Sequence, residues 1–262
     1  MSSDAQGERP RRRWWPVVLV GAVLVGGGVG LYTATRAPAS PTTAPTVTAT
    51  SLATPSSSAV PGLVVEAGGG GSTVASIDGV TPMGYPDTCE GAVAAATNQL
   101  VAIRAQPEGW TTPEGLARHA ALVDYFSPGA IEGATWSSTT KTQRAAEAAQ
   151  VDAQLPGMTT TDLDAALGAF RVISCTPATT VVDVVYGGII RIPGEEDWPV
   201  YASARVEVGW LDDWSIREVT DVPIGESPAS RVAPDGAFTA ETRAQLLAAG
   251  GPGWTEYANA RP

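Results

Sequence analysis

Lysine occurs once in this chain of 262 residues, at Lys141, histidine once, at His119, and cysteine twice, at Cys89 and Cys175. Two cysteines and one histidine do not close a four-ligand zinc site without a carboxylate, and cysteines so far apart are nothing like a Cys-x-x-Cys redox pair. The glycine run from Ala67 to Thr73 lacks the Gly-Lys-Ser/Thr ending that holds phosphate and magnesium, so it reads as a turn. Positive charge is also scarce. The net charge is −11, although the first residues hold Arg9, Arg11, Arg12 and Arg13 against Asp4 and Glu8, so the remainder of the chain is more acidic still. Such a body repels phosphate backbones, which argues against direct nucleic-acid contact by that part and favours neutral or cationic partners.

What is present first is a long apolar run. From Trp14 to Tyr32 the chain carries no charge, and at about 1.5 Å per residue this length spans a hydrocarbon core of about 30 Å. A transmembrane helix is predicted over 14–33. The arginine cluster precedes it and the first charge after it is Arg36, so the positive-inside rule places residues 1–13 in the cytoplasm and the C-terminal part outside the cell. The chain is then a single-pass protein of the cell membrane. A cleaved signal peptide shares this basic-then-apolar pattern, but its best small-residue site ends at Ala37, where Pro38 opposes cleavage. No cysteine closely follows the run, which excludes a lipoprotein anchor. Residues 34–78 are rich in Pro, Ser, Thr, Ala and Gly, with too little apolar surface to offset the entropy of ordering, and they read as a stalk.

Residues 79–258 carry the periodicities of a folded extracytoplasmic domain. Asp87 or Thr88 can cap a helix running to Gln106, with Val93, Ala96, Leu100 and Ile103 on a buried face and Thr97, Asn98 and Gln99 on a wet one. A second helix starts at Thr112, with Pro113 at its first position and Glu114 favouring the dipole, and ends near Phe126. Its expected apolar stripe is Leu116, Ala120, Val123 and Phe126. A third, alanine-rich helix is predicted from Lys141 to Gln154, packed at an edge.

After Thr160 helical spacing gives way to alternation. Ala169–Cys175, then the run from Thr179 with a short piece at 189–192, then Val200–Leu211 read as strands, and Asp212–Asp213 turns the chain into a hairpin that sets Trp214 and Ile216 beside Val208 and Trp210. A short helix with a glycine stop closes the pattern near 240–250. Helices followed by a meandering antiparallel sheet make an α+β class, and the expected shape is similar to the curved cone of nuclear transport factor 2. Cys89 opens the first helix and Cys175 closes the first strand, on the side of the membrane where disulfides persist, so the two are predicted to be joined.

Catalytic signals are weak. His119 lies at the edge of a buried face with no nucleophile or carboxylate tied to it by a motif. Asp183, flanked by valines, must face water or find a partner, and water is the expected choice. Glu195, Glu196 and Asp197 form an acidic loop without calcium-loop spacing and read as solvated. Trp198, Trp210, Trp214 and Trp254 fall in or near the sheet and are expected to pack in the core rather than bind sugar or peptide. No catalytic, cofactor or metal site is predicted.

The stretch GVTPMGYPDTCEGAVAAATNQLVAI, with its Gly-Tyr-Pro entry and Gly-Ala-Val-Ala-Ala-Ala-Thr-Asn helix, resembles an uncharacterised family of actinobacterial membrane-anchored proteins, and Pro252-Gly253-Trp254 is similar as well. The scarcity of lysine fits a GC-rich genome. Tail, span, stalk and helix-then-sheet domain together are also similar in plan to scaffold subunits of conjugation and type IV secretion machines. The resemblance implies a non-enzymatic envelope protein whose outer domain makes protein contacts. The alternative is a binding module for a cell-wall fragment or a small apolar ligand, which requires a sizeable concave pocket.

Overall fold

The computed structural model describes residues 62–72, 74–128, 136–222, 231–232 and 238–261. The predicted membrane helix and most of the stalk lie outside the described residues, and among those described no helix is long and apolar enough to cross a membrane. Four helices and an antiparallel sheet make up the described part: α1 (Cys89–Arg104), α2 (Pro113–Phe126), α3 (Trp136–Gln154), β1 (Thr159–Cys175), β2 (Thr179–Arg191), β3 (Trp198–Leu211), β4 (Asp213–Asp221), β5 (Arg231–Val232), α4 (Ala240–Ala249) and β6 (Thr255–Glu256). The class is α+β, and the sheet is curved and open, ordered β4-β3-β2-β1-β6 with β5 also on β3.

Helix starts follow local chemistry. The Thr88 hydroxyl accepts from Gly91 N at 3.1 Å and the Thr112 hydroxyl from Gly115 N at 3.1 Å, each satisfying a donor that the helix cannot. Thr239 and Thr242 form a reciprocal capping box on α4, which stops at Gly250. The strands follow alternation. Val182, Val184 and Tyr186 of β2 stand beside Val206, Ala204 and Ala202 of β3, all facing α1. The hairpin pairs Val208 with Ile216 and Trp210 with Trp214, as predicted. Strand β1 begins earlier than expected, at Thr159, and the two pieces expected after Thr179 are one strand, β2.

Helix α1 lies across the sheet and contacts β1, β2, β3 and β4. Val93, Leu100 and Ile103 are buried there, each worth roughly 1.5–3 kcal/mol. Its other side is not wet. Thr97, Asn98 and Gln99 are buried too, because each has a distant partner: Thr97 bonds the Tyr257 hydroxyl, Asn98 donates to Gly69 O and Tyr85 Oη, and Gln99 donates to Trp214 O. The glycine run presses against this side of α1. Gly70 has φ +84°, and a Cβ there would stand 2.7 Å from Ala94 Cβ. Leu63 and Val65, in the span that composition assigns to the stalk, are buried in the same core. Val65 O accepts from Ala258 N at 2.8 Å, and Ala67 and Asn259 exchange two further bonds of 2.9 Å, so the start and end of the folded body are side by side.

The opposite face of the sheet is covered by α4 and the C-terminal segment, where Val185, Tyr201 and Leu246 cluster with Phe238 and Trp254. Cys89 and Cys175 are joined, tying the start of α1 to the end of β1.

Candidate functional site

The predicted residues of interest do not converge. His119 sits in α2 on the α1 side of the sheet, Asp183 on the opposite face of β2, and Glu195, Glu196 and Asp197 in the β2–β3 connection, where Asp197 pairs with Arg191 at 3.1 Å. Among the described residues no group of three or more His, Cys, Asp or Glu is placed to hold a metal. Trp214 is buried and Trp210 meets it edge to face at 5.3 Å, while Trp254 stacks under Arg171.

Asp183 does not face water. Its side chain is fully buried between Arg205, whose Nε donates at 2.7 Å, and Arg171, whose Nη2 donates at 2.8 Å. Registry explains this: Arg171, Asp183 and Arg205 are direct neighbours across β1, β2 and β3, so alternation puts all three on one face. Arg171 also donates to Gly250 O and Pro252 O, which fastens the C-terminal segment over the sheet. The arrangement is a structural clamp, in which two arginines share one carboxylate.

The other polar cluster surrounds His119. The stripe that α2 buries is Gly115, His119, Leu122, Val123 and Phe126; Val123 and Phe126 are buried as expected, but Leu116 and Ala120 are only half-buried, so the histidine lies at the centre of the packed face and not at its edge. Two features hold the segment between α1 and α2. Thr160 of β1 accepts from Gln106 N and Trp110 Nε1 at 3.1 Å each, and Arg118 of α2 donates to Ala105 O at 2.7 Å, capping the end of α1. Trp110 is thereby fixed in place. From α3, Arg144 lays its guanidinium 3.4 Å over the Trp110 ring, and its Nη2 donates to Trp110 O at 3.2 Å.

A cavity of about 40 Å³ lies among Gln106, Trp110, His119 and Arg144, with half-buried Glu147 and Val219 at its rim. Burial first, then the charges of Arg144, Arg104 and Arg118, push His119 down to about 3, so it is a neutral imidazole at ordinary pH. Burial also lowers the Arg144 guanidinium to about 9 despite the opposing pull of Glu147, whose carboxyl is itself raised by burial. Arg104 is engaged by Asp221 at 2.8 Å. Thr140, Gln143 and Glu147 of α3 complete the lining, and the arrangement can hold a small polar group. Sequence reasoning singled out His119 and passed over Arg144, Trp110 and Gln106; an arginine within a buried helical stripe is the signal it offered.

A third feature is a β-turn hairpin over 74–82, bridged at Ala75 and Pro82. Asp78 holds its tip: Oδ1 accepts from Ser76 Oγ, Val80 N and Thr81 N at 2.7, 3.0 and 2.9 Å, and Oδ2 from Thr81 Oγ1 at 2.6 Å. Although burial pushes the other way, these bonds together hold the Asp78 carboxyl below the usual carboxylate range. Asp213 anchors the base by accepting from Gly84 N and Tyr85 N. Val74, Ile77 and Val80 project from the hairpin 64, 55 and 79% exposed. No family model, curated protein or solved structure matches the chain.

Proposed function

We propose that the chain is a non-enzymatic, single-pass envelope protein, with residues 1–13 in the cytoplasm and 14–33 in the membrane, whose outer domain docks other proteins. Its partners would be subunits of an assembly similar in plan to a conjugation or secretion machine. The observation that carries this reading is the hairpin over 74–82, where three large apolar side chains are displayed on a turn made rigid by Asp78. Apolar groups held in fixed positions lose little entropy on docking, which is what a contact surface requires. Among the described residues, the packing of α1 on the sheet supports the same reading. The curved sheet is read as a cone like that of nuclear transport factor 2, with its concave face occupied by the protein's own α1. A small apolar ligand needs a pocket of roughly 300 Å³ or more, and the cavity beside His119 offers about 40 Å³.

Photo-crosslinking in living cells tests this. A photoreactive residue at Val80 is expected to capture a discrete set of membrane-protein partners, and one at Glu195, in the connection at the opposite end of the sheet, is expected not to. Capture of wall fragments or of the chain itself from Val80 would overturn the reading.

A further inference from the structure

Arg144 is 5% exposed, yet among the described residues it forms no ion pair, and its Nε and Nη1 have no hydrogen-bond acceptor. Arginine is almost never so buried without a partner, because its charge is not readily given up and its five N–H groups all seek acceptors. The Trp110 ring and one carbonyl engage part of the guanidinium and leave the rest. Among the described residues Glu147 is the one carboxylate lining the cavity, and it does not come within ion-pair distance of Arg144. Gln106 Oε1 is likewise buried without a donor.

We propose that this cavity binds a single carboxylate group, admitted at the rim between α3 and β4 and held by Arg144. The size matches: about 40 Å³ suits one planar carboxylate, whereas a bulkier tetrahedral dianion calls for a second cation, and Arg104 is already engaged by Asp221. The chemistry matches as well. A guanidinium fork complements a carboxylate with paired N–H donors, and His119, neutral beside it, offers a donor without a charge of its own. This inference stands apart from the docking role of the hairpin.

The lone histidine makes the test direct, since its ring resonances have no overlap from another. The full-length chain in mild detergent would be titrated with sodium acetate, with sodium chloride as control at equal ionic strength, following the His119 ring by NMR and binding heat by calorimetry. Acetate is expected to give a saturable shift and chloride none; equal responses would overturn the proposal. Arg144→Lys keeps the charge but loses the fork and is expected to bind acetate at least about tenfold more weakly while remaining folded; unchanged affinity would overturn it. Arg144→Gln is expected to abolish binding. A short peptide ending in a free carboxylate and its amidated form distinguish the source of the group: tighter binding of the acid than of acetate points to peptide ends, and equal binding to a free small acid. Amide binding as well as acid would refute the carboxylate. Glu132 lies in the segment between α2 and α3, outside the described residues, and Glu132→Gln is expected to leave acetate affinity unchanged; binding seen only in that variant would show an internal carboxylate in the site and overturn the proposal.

Discussion

His119 and Asp183 are single residues whose surroundings decide their behaviour. In the unfolded chain an imidazole takes up a proton near pH 6.5, whereas in the folded protein burial and three arginines delay this to about 3. The unfolded state therefore binds more protons between those values, so His119 lowers stability as the pH falls from about 6.5 toward 3, by up to ~5 kcal/mol. Urea denaturation at pH 7 and pH 4.5 is expected to show a smaller loss in His119→Gln than in the unmodified protein. Asp183→Asn removes the carboxylate that two arginines share and is expected to cost about 3 kcal/mol in the same measurement, since Arg171 stays packed under the C-terminal segment without its counter-charge. Neither setting was legible locally. Valines flanking Asp183 pointed to a solvent-facing carboxylate, and only the cross-strand register reveals that Arg171 and Arg205 lie beside it. For the same reason Thr97, Asn98 and Gln99 read as a wet face: Tyr257 and Trp214, which satisfy Thr97 and Gln99, lie more than a hundred residues away.

At the level of helices and strands the sequence was more readable, because caps and alternation act over a few residues. Thr88, Thr112 and Gly250 mark helix ends by chemistry that needs no tertiary context. Thr88→Ala is expected to lower stability by about 1 kcal/mol, measured by thermal or chemical unfolding. The cysteine pair joins two elements 86 residues apart, and in the chain-entropy model a closed loop of that length is worth roughly 4–5 kcal/mol. Reduction, or Cys89→Ser with Cys175→Ser, is expected to shift the urea midpoint downward accordingly. What escaped the element-level reading was the orientation of α2. Leu116 and Ala120 fit an apolar stripe equally well by spacing alone, whereas the packed face runs through Leu122, Val123 and Phe126, with Arg118 on Ala105 O, and brings His119 inward.

For the molecule as a whole, the order of helices before strands fixed the α+β class, whereas for the candidate site the sequence offered only single residues, His119 and an arginine in a helical stripe, and not their convergence. Gln106, Trp110, His119 and Arg144 come from separate stretches that meet only when α2 and α3 fold against the end of α1. The C-terminal segment completes the core: Tyr257 is buried with its ring 5.1 Å from Phe170 and its hydroxyl on Thr97. Removing residues 255–262 is expected to cost at least about 3 kcal/mol, seen as a clearly lowered melting temperature. The pairing of Val65 with Ala258 and of Ala67 with Asn259 carries a mechanical consequence. The segments that open and close the described body therefore lie against each other. A pull between them would load those few bonds like the teeth of a clasp, together with the bond by which Arg261 N holds Ala166 O of β1.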